Sequence, residues 1–193
     1  MLESEKFKSR QNRKCFAYII AGVVFQTIII LVFALTVMRI KTPSVRLRSV
    51  TVDNLNYSAS AGSPFFSMTL NAEIAVKNKN FGHFKFDHST ANVSYNGNAV
   101  VGYGDIIKGR AKARKTKKMS VTIDVTSLNT GVSVDTAKLS NELNSGNVTL
   151  TSLARLRGKV TLMKVMKKKK TAEMNCTMTV DLNSKAVHIL DCE

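Results

Sequence analysis

The sequence is poor in the side chains from which most active sites are built. Its 193 residues include no tryptophan, two prolines, three histidines and only 13 acidic residues. His83 and His88 flank a predicted strand five positions apart, which places them on opposite faces and makes them poor joint ligands. The carboxylates are scattered, and no His-Glu-x-x-His, Cys-x-x-Cys or Gly-x-Ser-x-Gly motif occurs. We therefore expect no enzymatic activity, no catalytic or metal-binding residue and no cofactor.

Lysine and arginine, by contrast, are abundant. The 29 basic residues give a formal net charge of +16, yet 44% of the residues are hydrophobic, so we expect a packed core rather than a disordered basic chain. The charge is concentrated in Lys108–Lys118 and Lys164–Lys170, which lie between predicted strands and are expected to be exposed loops. The candidate anion-binding residues in these runs are Lys108, Arg110, Lys112, Arg114, Lys115, Lys117, Lys118, Lys164, Lys167, Lys168, Lys169 and Lys170.

Two interpretations of these basic runs stay open. They are solvated loop tips or, since like charges repel one another, surfaces that bind an anion. Outside the cell that anion would be an anionic lipid headgroup or an acidic polysaccharide. Neither run contains an aromatic side chain on which a base could stack, so we expect no nucleic acid partner.

A long hydrophobic segment predicts a membrane anchor. Phe16–Met38 holds no charged residue in 23 positions, and as a helix rising ~1.5 Å per residue it spans ~34 Å, enough for a hydrocarbon core of ~30 Å. It exceeds the ~7–15 apolar residues of a cleaved signal peptide and lacks a small-x-small cleavage site. We expect an uncleaved signal anchor, which divides the chain into a cytosolic basic tail (1–15), a transmembrane helix (16–38), a linker (39–47) and a β domain (48–193).

The orientation of that anchor rests on weak signals. Five basic residues precede the segment and four follow it closely, a difference too small to decide under the positive-inside rule. Beyond it lie four Asn-x-Ser/Thr sequons, although the composition alone gives about three by chance. Their asparagines are Asn56, Asn92, Asn147 and Asn175. These sequons modestly favour an extracytoplasmic domain.

The three cysteines bear on the same question. Cys176 and Cys192, 16 positions apart, either close a C-terminal loop as a disulfide in an oxidising compartment or stay free as buried thiols. Cys15 lies at the cytosolic edge of the span. It is either a site of S-palmitoylation or an unmodified interfacial thiol.

Beyond residue 43 the apolar residues recur at every second position, as in half-buried strands. The clearest case is Phe66–Val76, whereas the apolar phase slips within Val45–Val52 and indicates a bulge. Asp135–Asn144 predicts a short helix that stops at Gly146. Further strands are predicted at 84–86, 91–95, 100–107, 119–125, 148–162 and 172–182. The predicted fold class is mainly β, an immunoglobulin/fibronectin-III-like antiparallel β-sandwich with one short helix, preceded by a single transmembrane α-helix.

This order of features resembles the plant NDR/HIN-like (NHL) proteins, which carry the second subgroup of late embryogenesis abundant domains, LEA_2. Their long strand ends in Asn-Pro-Asn, where this chain has Asn78-Lys79-Asn80. The segment ending in Tyr95-Asn96-Gly97 is similar to the family's hairpin, and Arg157-Gly158-Lys159-Val160 to its penultimate strand. Cys176 through Cys192 resembles its closing cysteine pair. Lys79 replaces the proline, so the turn is retained without its rigid residue.

The resemblance implies a non-enzymatic plasma-membrane protein of the plant defence or abiotic stress response, with its domain outside the cell. It also implies a Cys176–Cys192 disulfide, and it places acidic cell-wall polymer within reach of the basic runs. A lipid-binding or lipid-transfer module at the membrane surface is the alternative function. A third possibility is an adaptor whose cytosolic tail binds an intracellular protein.

Overall fold

The computed structural model describes residues 2–60, 62–128, 134–162 and 166–192. Side chains are described from residue 16 onward, except those of residues 37 and 189. The chain divides into two compact units, residues 1–40 and 41–193. The first is helical and the second is a β domain.

The first unit is one helix, α1 (Leu2–Val37). Its segment Phe16–Thr36, 21 residues with a mean hydropathy of 2.6, is long and apolar enough to cross a membrane. The hydroxyls of Thr27 and Thr36 donate to carbonyl oxygens one turn back, over 2.6 and 2.7 Å. These two polar groups are therefore satisfied inside the helix, as a hydrocarbon environment requires.

The β domain contains ten strands and one short helix. In chain order they are β1 (Ser44–Ser58), β2 (Phe65–Lys77), β3 (His83–Phe86), β4 (Ser89–Tyr95), β5 (Ala99–Ile106), β6 (Gly109–Ala111), β7 (Thr116–Thr126), α2 (Thr136–Ser145), β8 (Asn147–Leu162), β9 (Met166–Asp181) and β10 (Ala186–Cys192). The carboxylate of Asp135 caps the start of α2, and Gly146 ends it at a φ of 78°, a conformation that favours glycine. The mainly β class with one short helix is thus confirmed.

All pairings between strands are antiparallel, in the order β4-β5-β7-β2-β1-β10-β9-β8-β3-β6. A sandwich keeps two sheets apart, but here β4 bonds to both β5 and β8, so the sheet closes on itself. Inward-facing side chains of both halves then share one core. Its largest fully buried members include Phe66, Phe84, Tyr95, Leu150, Leu156 and Met174.

The period-two pattern located most strands but not their ends. In β2, apolar side chains from Phe66 to Val76 are buried, and β1 has the expected register shift after Leu47. β1 begins at Ser44, inside the segment expected to be a linker, since Val45 and Leu47 are buried. Strands β6 and β10 are additional. Both are short. β6 is recognised by its pairing with β3 and β10 by its pairing with β9, rather than by a marked alternation in its own sequence.

Candidate functional site

The described part of the second basic run lies in a strand rather than in the loop that the sequence suggested. Lys167–Lys170 belong to strand β9, where they pair with residues 158–161 of β8. Backbone hydrogen bonds to β8 hold the run extended despite its charge, so its side chains alternate between the two faces of the sheet. Lys167 and Lys169 share one face, whereas Lys168 and Lys170 have the opposite phase. Lys164 lies outside the described residues.

The first basic run is also only partly a loop. Arg110 lies in β6, and Lys117 and Lys118 lie in β7, where Lys118 contacts Glu73 of β2 at 3.1 Å. Between the two strands, Arg114 stacks on the exposed ring of Phe81, with 4.8 Å from the guanidinium carbon to the ring centroid. The remaining candidates, Lys108, Lys112 and Lys115, are exposed. The structure therefore divides this run among different surfaces.

Four cations from four adjacent strands form a row on the outer face of the sheet. Arg110 of β6 lies directly opposite Lys85 of β3. Lys85 lies opposite Lys159 of β8, which in turn lies opposite Lys169 of β9. All four are exposed. In β3 and β8 the residues on either side of Lys85 and Lys159 are buried, so these two lysines face outward. With neighbouring strands ~4.8 Å apart, this cation row is ~14 Å long.

Further charges flank the cation row. Lys167 and Arg157 lie two positions from row members on the same outer face, and Asp87 lines a shallow depression with Arg157 and Lys159. Within the described ranges, no carboxylate comes within ion-pair distance of the row or of these two flanking cations. Burial, followed by the charges of Arg110 and Lys85, lowers the pKa of half-exposed His83. The row therefore carries largely uncompensated positive charge.

A glycine permits the close approach that aligns this row. A Cβ on Gly158 of β8 would fall on the carbonyl oxygen of Lys85 and on the ring of Phe84. With hydrogen there instead, β8 and β3 pack closely enough for Lys159 and Lys85 to face each other. This explains the glycine of the Arg157-Gly158-Lys159 segment in structural terms.

Sequence reasoning singled out Arg110 and Lys169 but missed Lys85, Lys159 and Arg157. A signal for two of these was present, since Arg157 and Lys159 alternate with buried residues along β8 and must face outward. Nothing in the sequence indicated that β3 and β8 are neighbours, however. Only the strand order brings the separate cations together.

Beside the row, two buried asparagines, which we call the asparagine clamp, connect three separate segments. Asn78 and Asn80 are 1% and 3% exposed. The side-chain nitrogen Nδ2 of Asn78 donates to the carbonyl oxygens of Gly82, Ala111 and Lys112 at 2.8, 3.3 and 3.1 Å. Its oxygen accepts from the backbone and side-chain nitrogens of Asn80, both at 3.0 Å. This accounts for both asparagines of the Asn-x-Asn motif.

Asn80 completes the clamp by holding the start of the β domain. Its side-chain oxygen accepts from the Lys41 backbone nitrogen at 2.6 Å, and its nitrogen donates to the Lys41 carbonyl oxygen at 2.7 Å. Two backbone bonds, Asn78 N to Lys115 O and Arg114 N to Asn80 O, attach the basic loop to the same turn. The clamp thus fixes the entry of the chain and the loop between β6 and β7.

The structure contains the predicted disulfide. Cys176 of β9 and Cys192 of β10 are directly opposite each other, with 4.1 Å between their Cα atoms, and are bonded. Cys176 is fully buried. The side chain of Cys15 is outside the described part of the chain.

The sequon asparagines are at the surface. Asn56, Asn147 and Asn175 are exposed, and Asn92 is half-buried. Asn92 and Asn175 lie on either side of Leu153, six residues or ~20 Å along β8 from Lys159. In the described ranges no group of three or more histidine, cysteine or carboxylate side chains is arranged to hold a metal.

A closed antiparallel β domain preceded by an apolar helix, with a cation row and an Asn-x-Asn clamp, defines a class of β proteins with an N-terminal apolar helix. Comparison with known proteins identifies the family within that class. The model of the late embryogenesis abundant family LEA_2 matches residues 73–178. The late embryogenesis abundant protein At1g64065 of Arabidopsis thaliana is 32% identical over 187 residues, covering 93% of this chain and 83% of its own. The chain belongs to the LEA_2 family, whose proteins are stress-related.

Two solved structures align weakly. One is a protein from Archaeoglobus fulgidus, 11% identical, with 66% of this chain and 94% of that chain covered and a TM-score of 0.33. The other is the solution structure of a late embryogenesis abundant protein, At2g46140.1, 14% identical, with coverages of 85% and 84% and a TM-score of 0.32. At such scores neither carries an argument about function.

Proposed function

We propose that this protein is a non-enzymatic membrane-anchored component of the plant defence or abiotic stress response, of the NDR/HIN-like type. Helix α1 holds it in the plasma membrane, the basic tail 1–15 is cytosolic, and the β domain is extracytoplasmic. The observation that carries the proposal is the pairing of an apolar 21-residue helix segment with a β domain that contains a disulfide.

The apolar helix segment supports the membrane anchor, and the disulfide supports the extracytoplasmic position of the β domain. The side chains of Phe16–Thr36 are not buried by the protein, so in water they would expose a large apolar surface, which a bilayer would cover. Disulfides persist in oxidising compartments and are rare in the cytosol. The outward position of the sequon asparagines fits the same side of the membrane, because an oligosaccharide needs a surface site.

Protease protection of the full chain in sealed, cytosol-side-out plant microsomes tests this topology. We expect added protease to remove only the basic tail and to leave the β domain intact until detergent opens the vesicles. The disulfide should be present in the protected fragment when free thiols are blocked before lysis.

An independent readout is glycosidase treatment of the protected fragment, compared with variants in which asparagine is changed to glutamine at each sequon. A mobility shift that a sequon variant removes places that residue on the lumenal side. Digestion of the β domain without detergent would place it in the cytosol and overturn the proposed topology.

A further inference from the structure

We propose that the outer face of β6, β3, β8 and β9 is a binding site for a linear carboxylated polysaccharide, a polyuronate, which lies across the strands along the cation row. The inference deepens the proposed function, since an extracytoplasmic domain of a plant protein meets acidic polysaccharide outside the cell. The binding site itself is defined by Arg110, Lys85, Lys159 and Lys169.

Without a bound anion, the repulsion between the cations of the row destabilises the folded sheet. Like charges directly opposite each other on neighbouring strands destabilise a sheet, and the row contains three such like-charged pairs in succession. Asp87 lines the depression beside Lys159, but no carboxylate of the described residues lies within ion-pair distance of the row. Elsewhere on the same two strands a cation lies opposite an anion, since Arg155 of β8 forms an ion pair with Glu173 of β9 at 3.2 Å. A polyanion that lies over the row would replace the missing counter-charges.

The shape of the row favours a chain-like ligand. Its cations occupy directly opposite positions on strands ~4.8 Å apart over a length of ~14 Å, so an extended polymer can place successive anionic groups near successive strands. Arg110 in the row and Arg157 beside it present planar guanidinium groups that match carboxylates bidentately. The sequon positions Asn92 and Asn175 lie ~20 Å from Lys159, so oligosaccharides attached there would start well away from the row.

The surroundings of the row distinguish a soluble polymer from a bilayer. Segments that insert at a membrane surface combine cations with exposed apolar side chains. The outward positions two residues along β3, β8 and β9 from the row are instead polar or charged, and include Thr161, Thr171 and His83. A hydrophilic polymer fits this face better than the acyl region of a membrane does.

The test measures binding of polygalacturonate to the full chain in phosphatidylcholine nanodiscs. The test variant carries Lys85→Gln, Lys159→Gln and Lys169→Gln. The matched control carries Arg48→Gln, Lys138→Gln and Lys185→Gln, exposed cations outside the row, so that both lose the same charge. We expect the row variant to bind roughly ten- to a hundredfold more weakly than wild type, as loss of three exposed ion pairs implies, and the control to change several times less.

Other outcomes overturn the proposal in distinct ways. Equal weakening in both variants means attraction by net charge alone, and equal binding of fully methyl-esterified polymer means that carboxylates are not recognised. Tighter row-dependent binding to vesicles with phosphatidylserine than to polygalacturonate identifies a membrane as the partner. Because the triple variant could alter folding, the single variant Lys159→Gln and the charge-conserving Lys159→Arg are measured in parallel, and only the former should weaken binding. Digestion of the β domain in microsomes would overturn the proposed topology without changing binding measured in nanodiscs. Loss of row-dependent binding would overturn the polyuronate site without changing the topology.

Discussion

Replacing Asn78 with alanine tests whether the asparagine clamp stabilises the β domain. The substitution removes the contacts to Gly82, Ala111 and Lys112 and leaves the backbone nitrogen of Asn80 without its partner, in a region that is almost fully buried. Each buried polar group left unsatisfied costs ~1–3 kcal/mol. Because the loop of residues 112–115 can relax and admit water to some of these groups, we expect a total loss of about 3 kcal/mol.

That loss is large enough to measure by heating. For a domain of this size, 1 kcal/mol shifts Tm by ~2–4 °C, so Asn78→Ala should lower the Tm of the β domain by roughly 6–12 °C. The assay is thermal unfolding of the full chain in detergent micelles, followed by the circular dichroism of its strands. Asn98→Ala is the matched control, since Asn98 has an exposed side chain in the turn between β4 and β5 and should shift Tm by no more than ~2 °C.

Hydrogen exchange separates the two halves of the clamp. Asn80→Ala removes the acceptor of the Lys41 amide, so that amide should exchange faster while the amides of the central strand β2 stay protected. If Asn78→Ala unfolds within ~2 °C of wild type, or if the Lys41 amide keeps its protection in Asn80→Ala, the two asparagines do not act as a clamp.

Three more substitutions test other parts of the fold. Replacing Cys176 and Cys192 by serine opens a loop of 16 residues and should cost about 3 kcal/mol, seen as a lower denaturant midpoint; an unchanged midpoint contradicts a disulfide. Gly158→Ala should cost about 1–3 kcal/mol by overpacking against Phe84 and the Lys85 carbonyl, whereas Gly62→Ala, with open space around it, should cost almost nothing in the same titration. Burial, and then the charge of Glu142, raises the pKa of Tyr95 above its ordinary value of 10.0. The folded state therefore holds that proton more tightly than the unfolded state, so stability should fall as the pH rises above 10.0, and Tyr95→Phe should flatten this loss in a pH series of unfolding curves.

Local patterns in the sequence determined the separate elements. Hydropathy alone located the apolar segment of α1, and period-two burial located β2, β7 and β8, because each signal depends on residues within one element. Asp135 and Gly146 marked the limits of α2 by capping chemistry that is equally local. The resemblance carried by the Asn-x-Asn step and the cysteine pair was sufficient to indicate the family.

Tertiary structure decided which elements are neighbours, and with that the candidate site. Lys85 and Lys159 are far apart in sequence and lie opposite each other only because β3 pairs with β8. The roles of Asn78 and Asn80 likewise depend on Lys41 and on the loop after β6, which no local pattern connects. The basic run in β9 is extended rather than a loop because strand β8 offers it backbone partners. Strand pairing is a property of distant residues, so a single sequence indicates that strands exist but not which of their charges meet.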